Sequence, residues 1–384
     1  MEKVKAKRIL KICLIVVMCP VVILVSLFTA TCVAGFMQVN KNIEYQENHL
    51  EYLRNEYYTD SYVPCDEQKL ADFDIEKAYE QDVKINEIAV LGTHNSYQMT
   101  ETLPNRMLMK MLSIITFGAV QDKTDFEMDT FTDQLEHGVR NLELDIETAD
   151  DNGEISFVVS HIPVLESVSS AYDFEKALEE IALWSDNNPG HLPVYLLVEP
   201  KSFVPLVNNL KGFTLEYALE LDKTVRQTLG DRLITPKDAM GEYASLKEMR
   251  MDDSWPTLEE AAGKIIVLLH KCDVTPEYIA VDETISTQSM FPMLGFSDDI
   301  DMSYASFILA NRPQSAARNS GMLIDERNLI VRTRADSYPT FSDERYEFAE
   351  ECGAQIVTTD YPPRTVREDE HTHTFGEYTI KLLR

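Results

Sequence analysis

The longest apolar stretch of the chain lies close to its amino terminus. No charged residue occurs from Ile12 to Met37, and this length exceeds the roughly 20 residues that a helix needs to cross a bilayer. Basic residues precede the stretch and a predominantly acidic chain follows it, which is the distribution of the positive-inside rule. We therefore predict a basic cytoplasmic segment at residues 1–11 and a transmembrane signal-anchor helix at residues 12–37, with the remainder of the chain outside the cell.

A cleaved signal peptide is the alternative for this stretch. Small residues occur at Thr29-Ala-Thr31 and at Ala34-Gly35, and a signal peptidase cuts after small residues. The protein would then be secreted. The following residues, 38–84, are polar and rich in Tyr and Glu, with apolar positions in loose helical spacing, and they predict a partly helical stalk.

Beyond the stalk, short apolar runs alternate with helix-like or loop segments. The runs that predict strands are Glu87–Gly92, Val139–Ile146, Ile155–His161, Val194–Val198, Arg232–Ile234, Lys264–His270, Leu329–Arg334 and Gln355–Thr359. Between the third and fourth, Asp173 can cap an amphipathic helix that stops at Asn187-Asn188-Pro189-Gly190.

Eight strands with helical crossovers, spread over about 280 residues, match the size of a barrel of parallel strands. The predicted fold class is therefore α/β, a (β/α)8 TIM-type barrel preceded by an N-terminal transmembrane helix. The barrel is expected at residues 85–365 and a charged, solvated tail at residues 366–384.

The net charge of −30 bears on the partners of the protein. Nucleic acid is disfavoured as a partner because phosphate binding requires clustered Lys and Arg. An acidic surface also repels anionic lipid headgroups. A phospholipid substrate would therefore need a bound cation and tethering of the protein to the membrane.

Carboxylates at the ends of predicted strands indicate a metal site. Glu143 and Asp145 are two residues apart in a strand, so both side chains point to the same side, into the barrel. Glu199 and the amide oxygen of Asn95 follow other strands and complete an all-oxygen set, which suits Ca²⁺ better than zinc or Mg²⁺. A salt-bridge network with Arg140 or Lys201 is the alternative for the carboxylate pair.

Two histidines, His94 and His161, follow the first strand and end the third, beside these carboxylates. Imidazoles with pKa values near neutrality can divide the work of proton transfer, one accepting a proton and the other donating one. We predict that the two form the acid–base pair of a metal-assisted phosphodiester cleavage. A histidine at a strand end can also be purely structural.

Several short motifs together resemble a known family. The motifs are GTHNSY at Gly92–Tyr97, RNLELDIE at Arg140–Glu147, SHIP at Ser160–Pro163 and LLVEPK at Leu196–Lys201. They look like successive signature segments of the catalytic domain of calcium-dependent phosphatidylinositol-specific phospholipases C. The similarity extends over about residues 80–365 and is greatest to the compact, bacterial-type branch of the family.

The resemblance implies a role for each matching residue. His94 and His161 would be the general base and acid, and Lys201 would bind substrate phosphate. The implied calcium ligands are Asn95, Glu143, Asp145 and Glu199. In such a family the inositol 2-hydroxyl attacks its own phosphodiester, which releases diacylglycerol and leaves a cyclic inositol phosphate. The expected partners are thus a phosphatidylinositol-type substrate and, through the N-terminal helix, the membrane.

Two further residues are candidates for substrate binding. Arg334 ends the seventh predicted strand. Together with Arg332, it could bind a headgroup phosphate, or the two arginines could pair with Asp336 and Asp360. Tyr361 follows the eighth strand and could cover the sugar ring or pack as an ordinary core residue.

Two other functions remain open at this point. A glycerophosphodiester phosphodiesterase has the same barrel and an E-x-D motif that a histidine follows about sixteen residues later. Asp145 and His161 have this spacing. Its usual opening is His-Arg-Gly, whereas this chain has His94-Asn95-Ser96. The other possibility is a catalytically inactive barrel that serves as a membrane-tethered binding module.

Overall fold

The architecture is a closed barrel of eight parallel strands. The computed structural model describes residues 2–163, 165–202, 210–364 and 371–383. The strands are β1 (Ile88–Thr93), β2 (Asn141–Asp151), β3 (Glu154–Val159), β4 (Val194–Pro200), β5 (Leu210–Lys211), β6 (Ile265–Leu269), β7 (Phe291–Leu294), β8 (Phe307–Ala310), β9 (Ile330–Arg334), β10 (Ile356–Thr359) and β11 (Ile380–Leu382). The barrel runs β1-β2-β4-β6-β7-β8-β9-β10, and β1 closes it by pairing with both β2 and β10.

Helices connect the strands and cover the outside of the barrel. They are α1 (Glu2–Tyr52), α2 (Glu67–Leu70), α3 (Ile75–Glu80), α4 (Leu103–Ile115), α5 (Phe131–Glu136), α6 (Phe174–Asn187), α7 (Leu215–Leu229), α8 (Pro236–Met240), α9 (Leu246–Met251), α10 (Thr275–Ala280), α11 (Pro313–Ser320) and α12 (Asp343–Glu351). The predicted crossover helix is α6. The Asp173 side chain caps it by accepting a hydrogen bond of 3.0 Å from the Lys176 amide.

Alternation along β2 divides its side chains between the helices and the barrel interior. Leu142 and Leu144 are fully buried in the apolar layer that also contains Phe174, Leu178 and other helix residues. Because successive side chains of a strand point to opposite faces, the intervening carboxylates point inward. The predicted orientation of this strand is therefore confirmed.

Two of the eight predicted strand positions in the barrel are wrong. The run Ile155–His161 contains β3, but β3 pairs antiparallel with the far end of β2, as a hairpin that stands above the barrel. At Arg232–Ile234 the chain forms a 3-10 turn, Gly230–Arg232, and Leu233 makes only an isolated bridge to Ile265. The strands that take these places are β7 and β8. Each has four residues, too few to give a clear period-2 pattern.

The helix α1 continues well beyond the apolar stretch and packs on the barrel. Thr31, Asn42, Gln46 and Leu50 are buried along one side of it. The Asn42 amide donates to the Ser167 carbonyl at 2.7 Å, and the Gln46 amide donates to the Asp173 carbonyl at 2.9 Å. Residues 38–84 therefore do not form a free stalk, because α1 to α3 lie against the barrel.

The amino-terminal part of α1 remains suited to a membrane. Within the described residues, the helical segment Met18–Tyr57 is long and apolar enough to cross a bilayer, with a mean hydropathy of 2.2 in its most apolar part. A signal sequence near the amino terminus has the same properties. The chain thus carries an N-terminal apolar helix that fits either an anchor or a signal.

The interpretation of the C-terminal residues as a solvated tail is wrong for residues 371–383. The strand β11 pairs antiparallel with β1. The His373 ring is 3% exposed and its Nδ1 lies 2.7 Å from Asp336 Oδ2. Residues 365–370, at the start of the predicted tail, lie outside the described residues.

Candidate active site

The two predicted catalytic histidines line one cavity, at the carboxyl ends of the barrel strands. The cavity has a volume of about 210 Å³. Its lining consists of His94, Asn95, Gln98, Lys123, Phe126, His161, Glu166, Arg334, Tyr338 and Asp360. In a barrel of parallel strands this end is where catalytic residues converge, and residues far apart in the sequence meet here.

A tight turn after β1 positions His94. Asn95 has a positive φ of 49°, and the next residue, Ser96, is held by a hydrogen bond of 2.7 Å between its hydroxyl and that of Thr93. The Ser96 hydroxyl also accepts a hydrogen bond of 2.8 Å from the Glu143 amide on β2. The turn that carries His94 is thereby fixed to the neighbouring strand.

Asp360 sets the orientation of the His94 ring. The His94 Nδ1 lies 3.2 Å from Asp360 Oδ1, so an Nδ1–H group can donate to the carboxylate and leave Nε2 free to accept a proton. Arg334 Nη2 lies 3.1 Å from the same Nδ1 and 3.1 Å from Asp360 Oδ2. Because a guanidinium only donates, we assign its hydrogen bond to Asp360. Burial favours the neutral acid, but His94 and Arg334 outweigh it and hold the pKa of Asp360 below its usual value.

A second carboxylate supports His161 in the same way. The His161 Nδ1 lies 2.6 Å from Glu166 Oε2, and the two side chains are partly exposed. The hydrogen bond to Glu166 raises the pKa of His161, against the opposing effect of burial. The β2–β3 hairpin returns the chain to the barrel mouth, since Val159 pairs with Ile146. His161 therefore reaches the cavity although β3 is not a barrel strand.

Three of the predicted metal ligands form a compact cluster. Oxygen atoms of Glu143, Asp145 and Glu199 lie within 4.8 Å of one another, and Asp145 and Glu199 are directly paired across β2 and β4. Burial raises the pKa of Asp145, and the carboxylates of Glu199 and Glu143 add to this effect against the opposing charge of Lys201. A divalent cation would relieve this repulsion.

The fourth predicted ligand, Asn95, has an unused oxygen atom. Its Oδ1 is buried without a hydrogen-bond partner. A buried polar atom without a partner is costly. Calcium accepts carboxylate and amide oxygens in a flexible geometry, so the donors present here fit the predicted ion.

Protein cations also contact the carboxylates. Arg332 forms a buried ion pair with Glu143, and Lys201 Nζ lies 2.6 Å from Glu199 Oε1 and 3.3 Å from Asp145 Oδ1. Lys201 thus belongs to the salt-bridge network that the sequence left as an alternative. Arg140 does not take part, because its guanidinium pairs with Glu67.

Ion pairing, one of the two alternatives for these arginines, is observed between Arg334 and Asp360, whereas Arg332 pairs with neither Asp336 nor Asp360. Arg332 contacts Glu143 rather than Asp336, and Asp336 pairs with His373. Arg334 pairs with Asp360 and also lines the cavity. A role for Arg334 in substrate binding stays a prediction.

Tyr361 lies in an aromatic cluster behind the cavity. Its side chain is 8% exposed, and its ring makes an edge contact with Phe341 at 5.1 Å. Tyr338, whose ring centroid is 6.3 Å from that of Tyr361, lines the cavity. The predicted contact between Tyr361 and a sugar ring stays untested.

The carboxylates that support the two histidines were not found from the sequence. The sequence predicts Asp360 only as a possible partner for arginine. Glu166 follows His161 by five residues in a loop, where no periodic pattern indicates which side chains turn toward the site. The short spacing of a histidine and a carboxylate was the one available signal for Glu166.

Several known proteins resemble this chain in sequence or in fold. The sequence model of a family described as "Phosphoinositide phospholipase C, Ca2+-dependent" matches residues 83–157 and 153–383. A calcium-dependent phosphoinositol-specific phospholipase C from Pseudomonas sp. is similar in structure, with a TM-score of 0.53 and 18% identity over 78% of this chain and 95% of that one. A Ca²⁺-dependent phosphatidylinositol-specific phospholipase C from Streptomyces antibioticus gives a TM-score of 0.52 and 20% identity over 72% of this chain and 95% of that one. A search of curated proteins found no significant match.

Proposed function

We propose that this chain, which belongs to the calcium-dependent phosphoinositide phospholipase C family, cleaves phosphatidylinositol-type phosphodiesters with His94 and His161 as its acid–base pair. The observation that carries the assignment of these residues is the shared cavity. Two imidazoles, each backed by a carboxylate, open onto it, and a cluster of three carboxylates suited to calcium lies at the same end of the barrel.

His94 is the general base in this proposal. Asp360 accepts a hydrogen bond from Nδ1, so Nε2 is the atom that takes the proton from the inositol 2-hydroxyl. The oxygen of that hydroxyl attacks the adjacent phosphorus and the bond to the diacylglycerol oxygen breaks. The product that remains is a cyclic inositol phosphate. Positioned acid–base groups of this kind typically contribute a factor of about 10² to 10⁴ to the rate.

His161 is the general acid. Its hydrogen bond to Glu166 raises its pKa and so favours the imidazolium form, which would protonate the departing diacylglycerol oxygen. When water later opens the cyclic product, the two histidines exchange roles, because the proton movements run in the opposite sense.

The carboxylates and amide would hold calcium, and the nearby cations would bind the phosphate. Asn95, Glu143, Asp145 and Glu199 would hold the ion, which would supply Lewis-acid activation of the 2-hydroxyl and neutralise charge on the transition state. Lys201, which contacts Asp145 and Glu199, would bind a phosphate oxygen. Arg334, whose Nη2 lies 3.1 Å from His94 Nδ1, would bind the same phosphate. Tyr361 would cover the sugar ring.

The N-terminal helix would anchor the enzyme in the membrane. In this proposal, residues 12–37 cross the bilayer once, the amino terminus is cytoplasmic and the barrel is outside. A fusion of a reporter to either terminus, read by protease protection, tests the orientation. Release of the barrel into the medium would instead identify the helix as a cleaved signal.

Product analysis tests the proposed activity. The full-length protein is incubated with phosphatidylinositol or with glycerophosphoinositol, in Ca²⁺, in Mg²⁺ and in EGTA. We expect cyclic inositol phosphate from phosphatidylinositol, abolition by EGTA, and recovery with Ca²⁺ in preference to Mg²⁺. Cleavage of glycerophosphoinositol alone, without a cyclic product, would support a glycerophosphodiester phosphodiesterase. Activity that persists in EGTA would show that the reaction does not require calcium.

A further inference from the structure

The face of α1 that packs on the barrel carries buried polar side chains. Thr31, Asn42 and Gln46 are almost fully buried on it, and Leu50 and Leu53 continue it toward the end of the helix. Their spacing places all five on a single helix face. A buried polar group costs free energy unless it is hydrogen-bonded. These polar positions therefore indicate specific contacts between α1 and the barrel.

The contact of Asn42 lies next to the carboxylate that supports His161. The Asn42 side chain is 1% exposed, and its amide donates to the Ser167 carbonyl at 2.7 Å. Gln38, one turn earlier, donates to Asn42 Oδ1 at 2.9 Å, which leaves the amide nitrogen directed at Ser167. Glu166 immediately precedes Ser167 in the chain. A residue of α1 thus holds the backbone beside the partner of the proposed general acid.

A buried carboxylate holds the same peptide group from its other side. The Val168 amide donates to Glu101 Oε1 at 3.3 Å, and the Ser167 hydroxyl donates to Glu101 Oε2 at 3.3 Å. In addition, the Asn105 amide of α4 donates to the carbonyl of Leu165. Contacts from two separate parts of the chain, α1 and the segment that ends in α4, therefore fix this loop.

A second side chain of α1 holds the far end of the loop. The Gln46 amide donates to the Asp173 carbonyl at 2.9 Å, and Gln46 Oε1 accepts from the Asp173 amide at 2.8 Å. Asp173 caps α6 and also forms a bridge to Val158 of β3. Earlier in α1, Gly35 lines a small cavity of about 70 Å³ together with Glu166. The helix thus follows the loop from Glu166 to the start of α6.

We propose that α1 is a structural part of the catalytic site, with Asn42 as a positioning residue that orients the general acid His161 through Ser167 and Glu166. The inference rests on the role proposed above for His161. Asn42 holds the backbone next to Glu166, and Glu166 Oε2 lies 2.6 Å from His161 Nδ1. The ring is held in this way, and its Nε2 is left to donate a proton to the departing oxygen.

The proposal applies to both interpretations of the N-terminal stretch. The candidate cleavage sites, Thr29-Ala-Thr31 and Ala34-Gly35, precede Asn42 in the chain. A cut at either site would leave the docked part of α1 on the barrel. Residues 38–53 then belong to the catalytic unit, whether or not the preceding stretch stays in a membrane. A membrane-bound form and a released form would have the same general acid.

Steady-state kinetics of the full-length protein test this role. Asn42→Ala removes the donor, and Asn42→Leu removes it while keeping a side chain of similar volume. Because acid–base help contributes a factor of about 10² to 10⁴, partial misalignment of the acid should lower kcat for phosphatidylinositol about tenfold and leave KM unchanged. The alkaline limb of the pH profile should move to lower pH, since a displaced Glu166 no longer supports the imidazolium of His161. The other charged groups that act on His161, Asp145 and Lys201, are retained in both variants.

A double variant identifies the route by which Asn42 acts. The effects of two residues that act through one contact are not additive. In the Glu166→Gln background, Asn42→Ala should therefore lower kcat by less than about twofold more. A full tenfold loss in that background would show that Asn42 acts by another route and would overturn the proposal. Wild-type rates and a wild-type pH profile in both Asn42 variants would refute it as well.

The matched control is His49→Ala, on the same helix. His49 Nε2 lies 3.2 Å from Glu180 Oε1 on α6, so its loss weakens the docking of α1 without removing a contact to the loop around Ser167. We expect a lower melting temperature than that of the wild type, but the wild-type kcat and pH profile. An equal displacement of the alkaline limb in this variant would show that general loosening of α1 is responsible, which contradicts a specific role of Asn42.

Hydrogen exchange tests the position of the loop without any use of activity. The amides of Val168 and Ser170 both donate hydrogen bonds to residues 97–101. Removal of the Asn42 contact should let these two amides exchange about fivefold faster, whereas His49→Ala should leave their rates unchanged. Equal exchange in Asn42→Ala and in the wild type would overturn the proposal. Absence of wild-type activity on phosphatidylinositol would refute the proposed function alone, and the exchange rates would still decide whether Asn42 holds the loop.

Discussion

Two buried arginines at opposite ends of the barrel form ion pairs of different kinds, one self-contained and one that joins a cluster of carboxylates. Arg140, at the start of β2, is fully buried. It donates to the carbonyls of Leu135 at 2.7 Å and Val139 at 2.8 Å, pairs with Glu67, and stacks at 5.0 Å over the ring of Trp184. One acid balances one base, and backbone carbonyls accept further hydrogen bonds.

At the mouth the charges do not balance in the same way. Arg332 is also buried and pairs with Glu143, but Glu143 belongs to the cluster with Asp145 and Glu199. The nearby Asn95 Oδ1 has no partner. Buried carboxylates in mutual contact are expected where a cation or substrate binds. The excess of acceptors, rather than burial alone, distinguishes the mouth from the other end of the barrel.

The largest expected effect is at the histidines of the mouth. We expect His94→Ala or His161→Ala to lower turnover of phosphatidylinositol by at least about 100-fold, the usual loss when acid–base help is removed. The melting temperature should stay near that of the wild type, because these side chains line a cavity and do not fill the core. Initial rates with saturating Ca²⁺ and thermal unfolding measure the two quantities.

A histidine at the other end provides the control. His137 Nδ1 lies 2.7 Å from the carbonyl of Asp133, before β2 begins, and it is outside the cavity. Its replacement by Ala should leave turnover unchanged. Retained activity in both the His94→Ala and the His161→Ala variant would contradict the acid–base roles of these histidines. The two ends of the barrel would then not differ in catalytic importance.

An intermediate effect is expected when the structural pair is broken. Glu67→Gln leaves the charge of Arg140 buried without a counterion, so the free energy of unfolding should fall by about 2 kcal/mol. Turnover per folded molecule should not change, because Glu67 is far from the cavity. Urea denaturation and a rate normalised to folded protein test both statements.

The matched change at the mouth is Asp145→Asn. A neutral amide removes repulsion from Glu143 and Glu199, so the stability without calcium should not fall. The rise in melting temperature that Ca²⁺ gives the wild type by binding the native state should be lost. A calcium-dependent rise that persists in this variant would place the ion elsewhere.

The smallest expected effect is a displacement of the pH profile. Glu166 raises the pKa of His161, so the imidazolium needed as general acid persists to higher pH than it would alone. Glu166→Gln removes the charge and lowers this pKa, and the alkaline limb of kcat/KM should therefore move to lower pH. The acidic limb should stay in place, because Glu166 does not contact the proposed general base. A profile that is unchanged on both limbs would contradict the proton-donor role of His161.

Local alternation was sufficient to place several groups of the site. Glu143 and Asp145 alternate with Leu142 and Leu144, and this spacing alone determines that both carboxylates share a face. His94 and Glu199 follow clear apolar runs, so their position at the strand ends was predictable. The cap at Asp173 likewise depends only on its near neighbours.

The sequence by itself therefore determined the class of fold, the inward carboxylates and the two histidines at the mouth. Only the tertiary structure decided which partners these groups have. Asp360 meets His94 from 266 positions away, and Arg332 meets Glu143 from 189 positions away. The four-residue strands β7 and β8, and the seating of α1 and α4 beside the mouth, likewise depend on closure of the barrel. The periodicity of a segment indicates the direction in which each side chain points. A long-range contact depends instead on how separate segments pack, and such packing produces no local pattern in the sequence.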